Sequence, residues 1–144
     1  MPADPSQLIE SDRAVRRASV VLEHMNAENT HEWSRVMATF NRPRYELPDG
    51  RVFEGADDVM AYWLAGRSSV PDQRNQLVSL EICAGGTVLL HFVLRGTSAR
   101  SGRPFESTLW AVFDFDDSDL LTNERVYVDR PSDDVVAGGG AAAG

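Results

Sequence analysis

The sequence predicts an α+β domain in which three N-terminal helices pack on a strongly curved, mainly antiparallel sheet of four to six strands. Helical periodicity dominates the first half of the chain, whereas β-like runs follow Gln73. Short turns rich in glycine and aspartate separate these runs, so neighbouring strands are expected to pair as hairpins. Strands of this length twist and curl. We therefore expect the helices and the sheet to enclose a single apolar pocket.

The first helix has a clear start and a regular apolar spacing. Asp4 can cap it, Pro5 suits the first helical position, and the helix is predicted to end near Ala27. The apolar positions that recur at the spacing of one helical face are Leu8, Val15, Ala18, Leu22 and Met25. This pattern predicts that these residues face the core.

Two shorter helices follow. Asn29 with Glu32 three residues later repeats the capping pattern, and Trp33 to Phe40 then carries apolar residues at helical spacing. A third helix is expected after Gly55, where Asp57 and Asp58 suit its first turn. The predicted strands are Arg44–Leu47, Asn75–Cys83, Thr87–Thr97, Phe105–Phe115 and Leu120–Asp129.

The length of 144 residues suits one domain, which we place at residues 1–131. Residues 132–144 are rich in glycine and alanine without periodicity, which predicts a disordered tail. No apolar run approaches the roughly 20 residues that cross a bilayer, and the first residues are acidic where a secretory signal is basic. These features predict a cytoplasmic protein with no membrane partner.

Charge and residue usage exclude several functions. The formal net charge is −8, and the arginines are scattered, so no nucleic-acid partner is expected. All 14 basic residues are arginine, which excludes Schiff-base lysine chemistry. The three histidines, His24, His31 and His91, lack metal-ligand spacing among themselves, and the acidic turn near Asp117 lacks the central glycine of a calcium loop. We therefore predict no metal and no cofactor.

Several phrases, taken in order, resemble one known family. They are RPRYELPDGRVFEG, the Val70 to Gln73 turn, LRGTSARSGRPF and the closing ERVYVDR. Together they are similar to the SnoaL-like polyketide cyclase branch of the nuclear transport factor two-like superfamily. The resemblance implies a cone-shaped, barrel-like fold and membership of a superfamily that contains cyclases, isomerases, hydrolases and proteins that only bind.

The resemblance also implies a catalytic aspartate at the end of the last strand, where Asp129 stands. Arg125, Tyr127 and Asp129 alternate along that strand and are expected to face the pocket, with Glu124 on the other side. A poorly solvated carboxylate there would be a strong base. Tyr127, Arg125 or Tyr45 could donate a hydrogen bond to an oxyanion, as donors do in ketosteroid isomerase, a relative by fold. The other interpretation, that Asp129 only closes the strand by binding backbone, stays open.

His91 is the third candidate catalytic residue. It shares a strand face with Val93 and Arg95, and the family histidine expected near the end of that strand is replaced by Ser98. His91 is either a substitute for that histidine or a hydrogen-bonded core residue. The aromatic residues expected to line the pocket and bind substrate are Trp33, Trp63, Trp110 and Phe113.

Two functions are consistent with these features. The first is a cofactor-independent cyclase, isomerase or hydrolase that acts on a small hydrophobic carbonyl-type or polyketide-like compound. The second is a non-catalytic module that binds a small hydrophobic molecule. A pure dimerisation scaffold is the third interpretation. A homodimer through the sheet face is expected in each case, with Phe92, Leu94, Trp110 and Val112 as candidate contacts.

Overall fold

The computed structural model describes residues 4–130, except for the side chains of Leu8 and Ile9. Its elements, in chain order, are α1 (Pro5–Asn29), α2 (Trp33–Ala38), β1 (Arg44–Glu46), β2 (Val52–Glu54), α3 (Ala56–Ser69), β3 (Arg74–Ile82), β4 (Val88–Thr97), β5 (Pro104–Phe115) and β6 (Leu121–Arg130). The predicted order of three helices and four long strands is confirmed. The expected tail at 132–144 lies outside the described residues. Among the described helices, none has the length and apolarity to span a bilayer.

The six strands form one curved, unclosed sheet in the order β2-β1-β6-β5-β4-β3. Neighbours in the series β6, β5, β4 and β3 are antiparallel, as is the short β1–β2 hairpin. Among the described strands, β1 and β6 are the pair that runs in parallel, with Tyr45 opposite Glu124. This parallel pair joins the small hairpin to the long strands. The predicted α+β class with a mainly antiparallel sheet is therefore confirmed.

The α1 helix starts as expected but ends later. Asp4 Oδ1 accepts a hydrogen bond from the Ser6 amide at 3.0 Å, which caps the N-terminus. The C-terminus extends through Asn29, and α2 has no side-chain cap. The expected role of Asn29 as the cap of α2 is therefore wrong. The Asn29 side chain instead binds the backbone of β3. Its Oδ1 accepts from the Asn75 amide at 2.6 Å, and its Nδ2 donates to the Asn75 carbonyl at 2.9 Å.

The inner face of the sheet and the helices enclose the core. Along β4 the buried residues alternate, and Phe92 and Leu94 are 1% and 0% exposed because they point inward. Their predicted place at an outer dimer surface is therefore wrong. Trp110 and Val112 of β5 do alternate with the buried residues and lie on the outer face.

The inward face of α1 agrees with the prediction at Met25, which is buried, but differs elsewhere. Val15 and Leu22 are 65% and 47% exposed, although their spacing predicts burial. Arg17, His24 and Glu28 are buried in their place. These polar side chains need partners inside the fold, and α1 therefore carries two charged clusters.

The first cluster ties α1 to the β5–β6 turn. Asp119, which has a positive φ of 62°, accepts from Arg16 Nε at 2.9 Å and from Arg17 Nε at 2.8 Å, and Arg13 Nε lies 3.3 Å away. Arg17 also donates to the Gly86 carbonyl at 2.9 Å. Gly86 has φ +86°, and a Cβ there would overlap the Arg17 guanidinium. We call this group the arginine cluster.

Candidate functional site

The second charged group on α1 lies in the middle of the core. His24 and Glu28 are one helical turn apart and project from the same face of α1. Glu124 reaches them from β6 because it lies on the same side of the strand as buried Val126. The three side chains are at most 1% exposed. We call this group the inner cluster.

The atoms of the inner cluster lie close together. His24 Nε2 is 2.9 Å from Glu124 Oε1 and 3.4 Å from Glu28 Oε1. These atoms pair with one another as ions, although the contacts are poorly aligned as hydrogen bonds. Tyr45 also bonds to the Glu124 carboxylate. Buried polar atoms in native proteins are nearly always paired. Poor alignment among fully buried ion pairs is therefore an unusual feature of the inner cluster.

Neighbouring side chains hold the inner cluster in place. Thr39 Oγ1 donates to the Val36 carbonyl at 2.6 Å and lies 2.9 Å from His24 Nδ1. Since the Thr39 hydrogen is used in that bond, its oxygen accepts from His24 Nδ1–H. Asn75 Nδ2 donates to Glu28 Oε2 at 3.0 Å. His24 Nε2 and Glu28 Oε1 are thereby fixed facing inward.

The surroundings of the inner cluster are aromatic. The His24 ring makes edge contacts with Phe40, Trp63 and Phe113 at centroid distances of 5.5, 5.9 and 5.6 Å. Trp33, which is half-buried, stacks on Trp63 at 5.8 Å and so connects this layer to the surface. Such an environment solvates charge poorly and strengthens electrostatic interactions within it.

The ionisation of the inner cluster departs from that of the free side chains. Burial lowers the pKa of His24, but the Glu124 and Glu28 carboxylates outweigh it and raise that pKa to about 10. Burial raises the pKa of Glu28 to about 7 against the opposing effect of His24. Burial, and then the Glu124 carboxylate, also raise the pKa of Tyr45 well above its usual value. A histidinium beside a carboxyl group that exchanges its proton near neutrality can perform acid–base chemistry.

The sequence-predicted site residues separate into two groups. Tyr45, Trp33, Trp63 and Phe113 belong to the core around the inner cluster. His91, Trp110, Arg125, Tyr127 and Asp129 lie together on the outer face of the sheet. The expectation that the odd-numbered residues of β6 face the interior is wrong, because Glu124 is 1% exposed while Tyr127 is 48% exposed.

The outer residues nevertheless form contacts with one another. The His91 ring stacks on Trp110 with centroids 4.1 Å apart, and its Nε2 lies 3.6 Å from Asp129 Oδ2. Tyr127 pairs with Trp110 across the β5–β6 ladder. Arg125 Nη2 lies 3.4 Å from Asp114. Within the described residues, the ion pairs and hydrogen bonds of this outer group stay on the outer face and do not reach the inner cluster.

Sequence reasoning missed His24, Glu28 and Glu124 as a group. The available signal was a histidine and a glutamate at i and i+4 on α1, together with a glutamate that alternates with Val126 and Val128. Spacing among the histidines alone, on which the prediction of no metal rests, does not reveal a set that mixes one histidine with two glutamates. The ligand atoms of the three side chains lie within 4.8 Å of one another, which is a spacing that could hold an ion.

Comparisons with known proteins agree with this architecture. Bal32a, from a soil-derived mobile gene cassette, superposes with a TM-score of 0.73 at 14% identity over 81% of this chain and 92% of its own. SalBIII is an epoxide hydrolase/cyclase-like enzyme in pyran ring formation of the polyether salinomycin. It superposes with a TM-score of 0.70 at 15% identity, over 78% of this chain and 89% of its own. AclR from Streptomyces galilaeus superposes with a TM-score of 0.69 at 18% identity, over 87% of this chain and 96% of its own.

These identities are low, so the superpositions show a shared fold. Among curated proteins, no sequence matches significantly. The SnoaL-like domain family matches residues 21–123, which is most of the described chain. The matched segment includes His24 and Glu28, and Glu124 directly follows it. The chain belongs to the SnoaL-like domain family.

Proposed function

We propose that this protein is an enzyme that transfers protons on a small, hydrophobic carbonyl-type or polyketide-like compound, with the inner cluster as its acid–base group. The observation that carries the proposal is the burial of His24, Glu28 and Glu124 together, with facing atoms that lack aligned partners. A purely structural cluster would be expected to satisfy these atoms. The activity named for SalBIII supports a reaction of this class.

Each side chain has a distinct part in this proposal. Glu28 exchanges a proton with the substrate, because burial places its pKa near neutrality. His24 carries positive charge beside it and stabilises the carboxylate form. Glu124 holds the charge on His24. Aromatic residues such as Trp63 would contact the apolar part of the substrate.

A substitution at Glu28 and a matched control at Glu23 test the proposal. Solvent extraction and mass spectrometry of the purified protein identify a ligand class, and turnover is then measured on ketones and epoxides of that class. We expect Glu28→Gln to lower kcat by roughly two to four orders of magnitude, because it removes the exchanging group. Glu23→Gln is the control, since it is the same change on an exposed face of α1.

The alternative function is binding without catalysis. A wild-type protein that binds the extracted compound but converts none of its relatives would support that alternative. Turnover that survives in both Glu28→Gln and Glu124→Gln would contradict the assignment of the inner cluster.

The outer group is a second candidate site. The contact of His91 with Asp129 and its stacking on Trp110 favour it. Under this assignment Asp129 is the base and Tyr127 a donor, so Asp129→Asn lowers kcat by roughly two to four orders of magnitude and Tyr127→Phe by about a hundredfold. Under the inner assignment both variants keep wild-type turnover, so one set of rates distinguishes the two sites.

We also propose that the outer face forms a homodimer. Trp110 and Val112 lie there, and Tyr127 is 48% exposed. Apolar and aromatic side chains on the solvent side of a sheet are typical of an interface. Light scattering at micromolar concentration should report a dimer for the wild type and a monomer for Trp110→Glu. A monomeric wild type would contradict this proposal.

A further inference from the structure

The facing atoms of the inner cluster suit a bound ion as well as a proton. We propose that His24, Glu28 and Glu124 bind a divalent transition-metal ion, which takes the place of the proton on His24 Nε2. The inference depends on the arrangement of these side chains and does not depend on the proposed reaction.

The interatomic distances fit a shared ion. Ligand atoms bonded at about 2.0 to 2.2 Å to one ion are separated by about 3 to 3.5 Å when they occupy neighbouring positions around it. His24 Nε2 lies 2.9 and 3.4 Å from the Glu124 and Glu28 oxygens, and all the ligand atoms lie within 4.8 Å of one another. These short distances lack hydrogen-bond alignment. Neighbouring ligands of one ion have that relation, because they point at the ion and not at each other.

The supporting contacts are those of a metal site. Metal-bound histidines commonly donate their second ring N–H to an oxygen, which fixes the tautomer. Thr39 Oγ1 accepts from His24 Nδ1, so Nε2, whose proton the ion would replace, is directed inward. Asn75 Nδ2 binds the outer oxygen of Glu28, so Oε1 is held toward the other two ligands. Both ligand orientations are therefore set in advance.

The donor set selects the class of ion. One imidazole nitrogen and two carboxylates together carry a charge that a divalent cation balances, and the nitrogen favours Zn²⁺ or Co²⁺ over Mg²⁺ or Ca²⁺.

Cobalt titration of the protein tests the inference. The full chain is freed of metal with a chelator and titrated with Co²⁺, while the visible absorption of nitrogen- and oxygen-ligated cobalt is recorded. We expect one ion per chain, displacement by Zn²⁺ but not by Mg²⁺, and a higher melting temperature with Zn²⁺. Ion binding should also become weaker as pH falls, since the proton and the ion compete for Nε2.

Two ligand variants and one control make the test specific. Glu124→Gln keeps the shape of the side chain, and His24→Gln removes the nitrogen ligand, so each should weaken Co²⁺ binding by about tenfold or more. His31→Asn is the control, because His31 is exposed and its backbone has a positive φ that asparagine tolerates. Circular dichroism establishes that each variant is folded before titration.

The outcomes separate this inference from the proposed function. Absent Co²⁺ binding, or binding that survives in both folded ligand variants, overturns the metal site and leaves the proposed acid–base reaction intact. If Zn²⁺ binds and turnover exists, Zn²⁺ should inhibit it, because the ion occupies the position of the exchanging proton. If Zn²⁺ binds at these ligands and no turnover is found with any substrate, the metal site stands without the enzyme.

Discussion

The two charged clusters are built on the same helix, α1, but their polar atoms differ in how they are hydrogen-bonded. In the arginine cluster, both Asp119 oxygens receive guanidinium hydrogen bonds, and Arg17 has further backbone acceptors. In the inner cluster, two carboxylates share one imidazole, so acceptors outnumber donors. Arg13 Nε contacts Asp119 at 3.3 Å without an aligned hydrogen bond, but the bonds from Arg16 and Arg17 are what a structural role requires. The excess of carboxylate oxygens over donors in a fully buried place is the feature on which our proposal of a functional role rests, and such groups are expected to cost stability.

The largest expected effect on stability comes from a substitution of Asp119 in the arginine cluster. Asp119→Asn removes the negative charge that compensates buried Arg17, so the free energy of unfolding should fall by about 2 to 4 kcal/mol. Asparagine tolerates the positive φ at this position. Denaturant melts of Asp119→Asn and of the exposed control Asp117→Asn measure the difference. Equal stability of the two variants would show that the arginine cluster contributes little.

A smaller change of the opposite sign is expected at Glu28. Glu28→Gln keeps an oxygen for Asn75 Nδ2 and removes a buried charge, so the free energy of unfolding at pH 8 should rise by about 1 to 2 kcal/mol. The measurement is the same denaturant melt, with Glu23→Gln as control. A loss of stability would mean that Glu28 pairs more favourably than the structure implies, and the contrast between the clusters would fail.

The smallest expected effect that distinguishes the two clusters is on the pH dependence of stability. Folding raises the pKa of Glu28 from 4.5 to about 7 and that of His24 from 6.5 to about 10. Both groups bind protons more tightly when folded, so their stabilisation is present at low pH and is lost as pH rises through these ranges. The melting temperature in metal-free buffer should therefore decline from about pH 5 to 10. Glu28→Gln should remove the decline below pH 7, and an unchanged profile in that variant would contradict the assignment.

The fold was predictable because its signals are local. Asp4 with Pro5 marks the start of α1, and long β-like runs separated by glycine or aspartate turns mark β3 to β6. The superfamily resemblance supplied the cone-shaped arrangement. These features do not require knowledge of which residues meet across the core.

The inner cluster was not predictable in the same way. Hydrophobic periodicity placed Val15 and Leu22 inward, but the buried face of α1 carries Arg17, His24 and Glu28. A buried charged face has the same sequence pattern as a solvent face until its partners from β5 and β6 are known. Which residues of β6 face the core was also assigned from the resemblance. An alternating pattern alone cannot decide between odd- and even-numbered residues when both faces of a strand carry charged and apolar side chains.

The turn between β5 and β6 has a consequence for how related sequences vary in length. Asp119 anchors this turn to α1, and Glu124 follows on the strand that leaves it. A deletion of one residue between them would bring Arg125 to the inner face, and an insertion would bring Asn123 there. A surface hairpin normally tolerates such changes. Here an odd change in turn length would replace the inner carboxylate by a cation or an amide, so turn length marks which relatives can keep a carboxylate at this position.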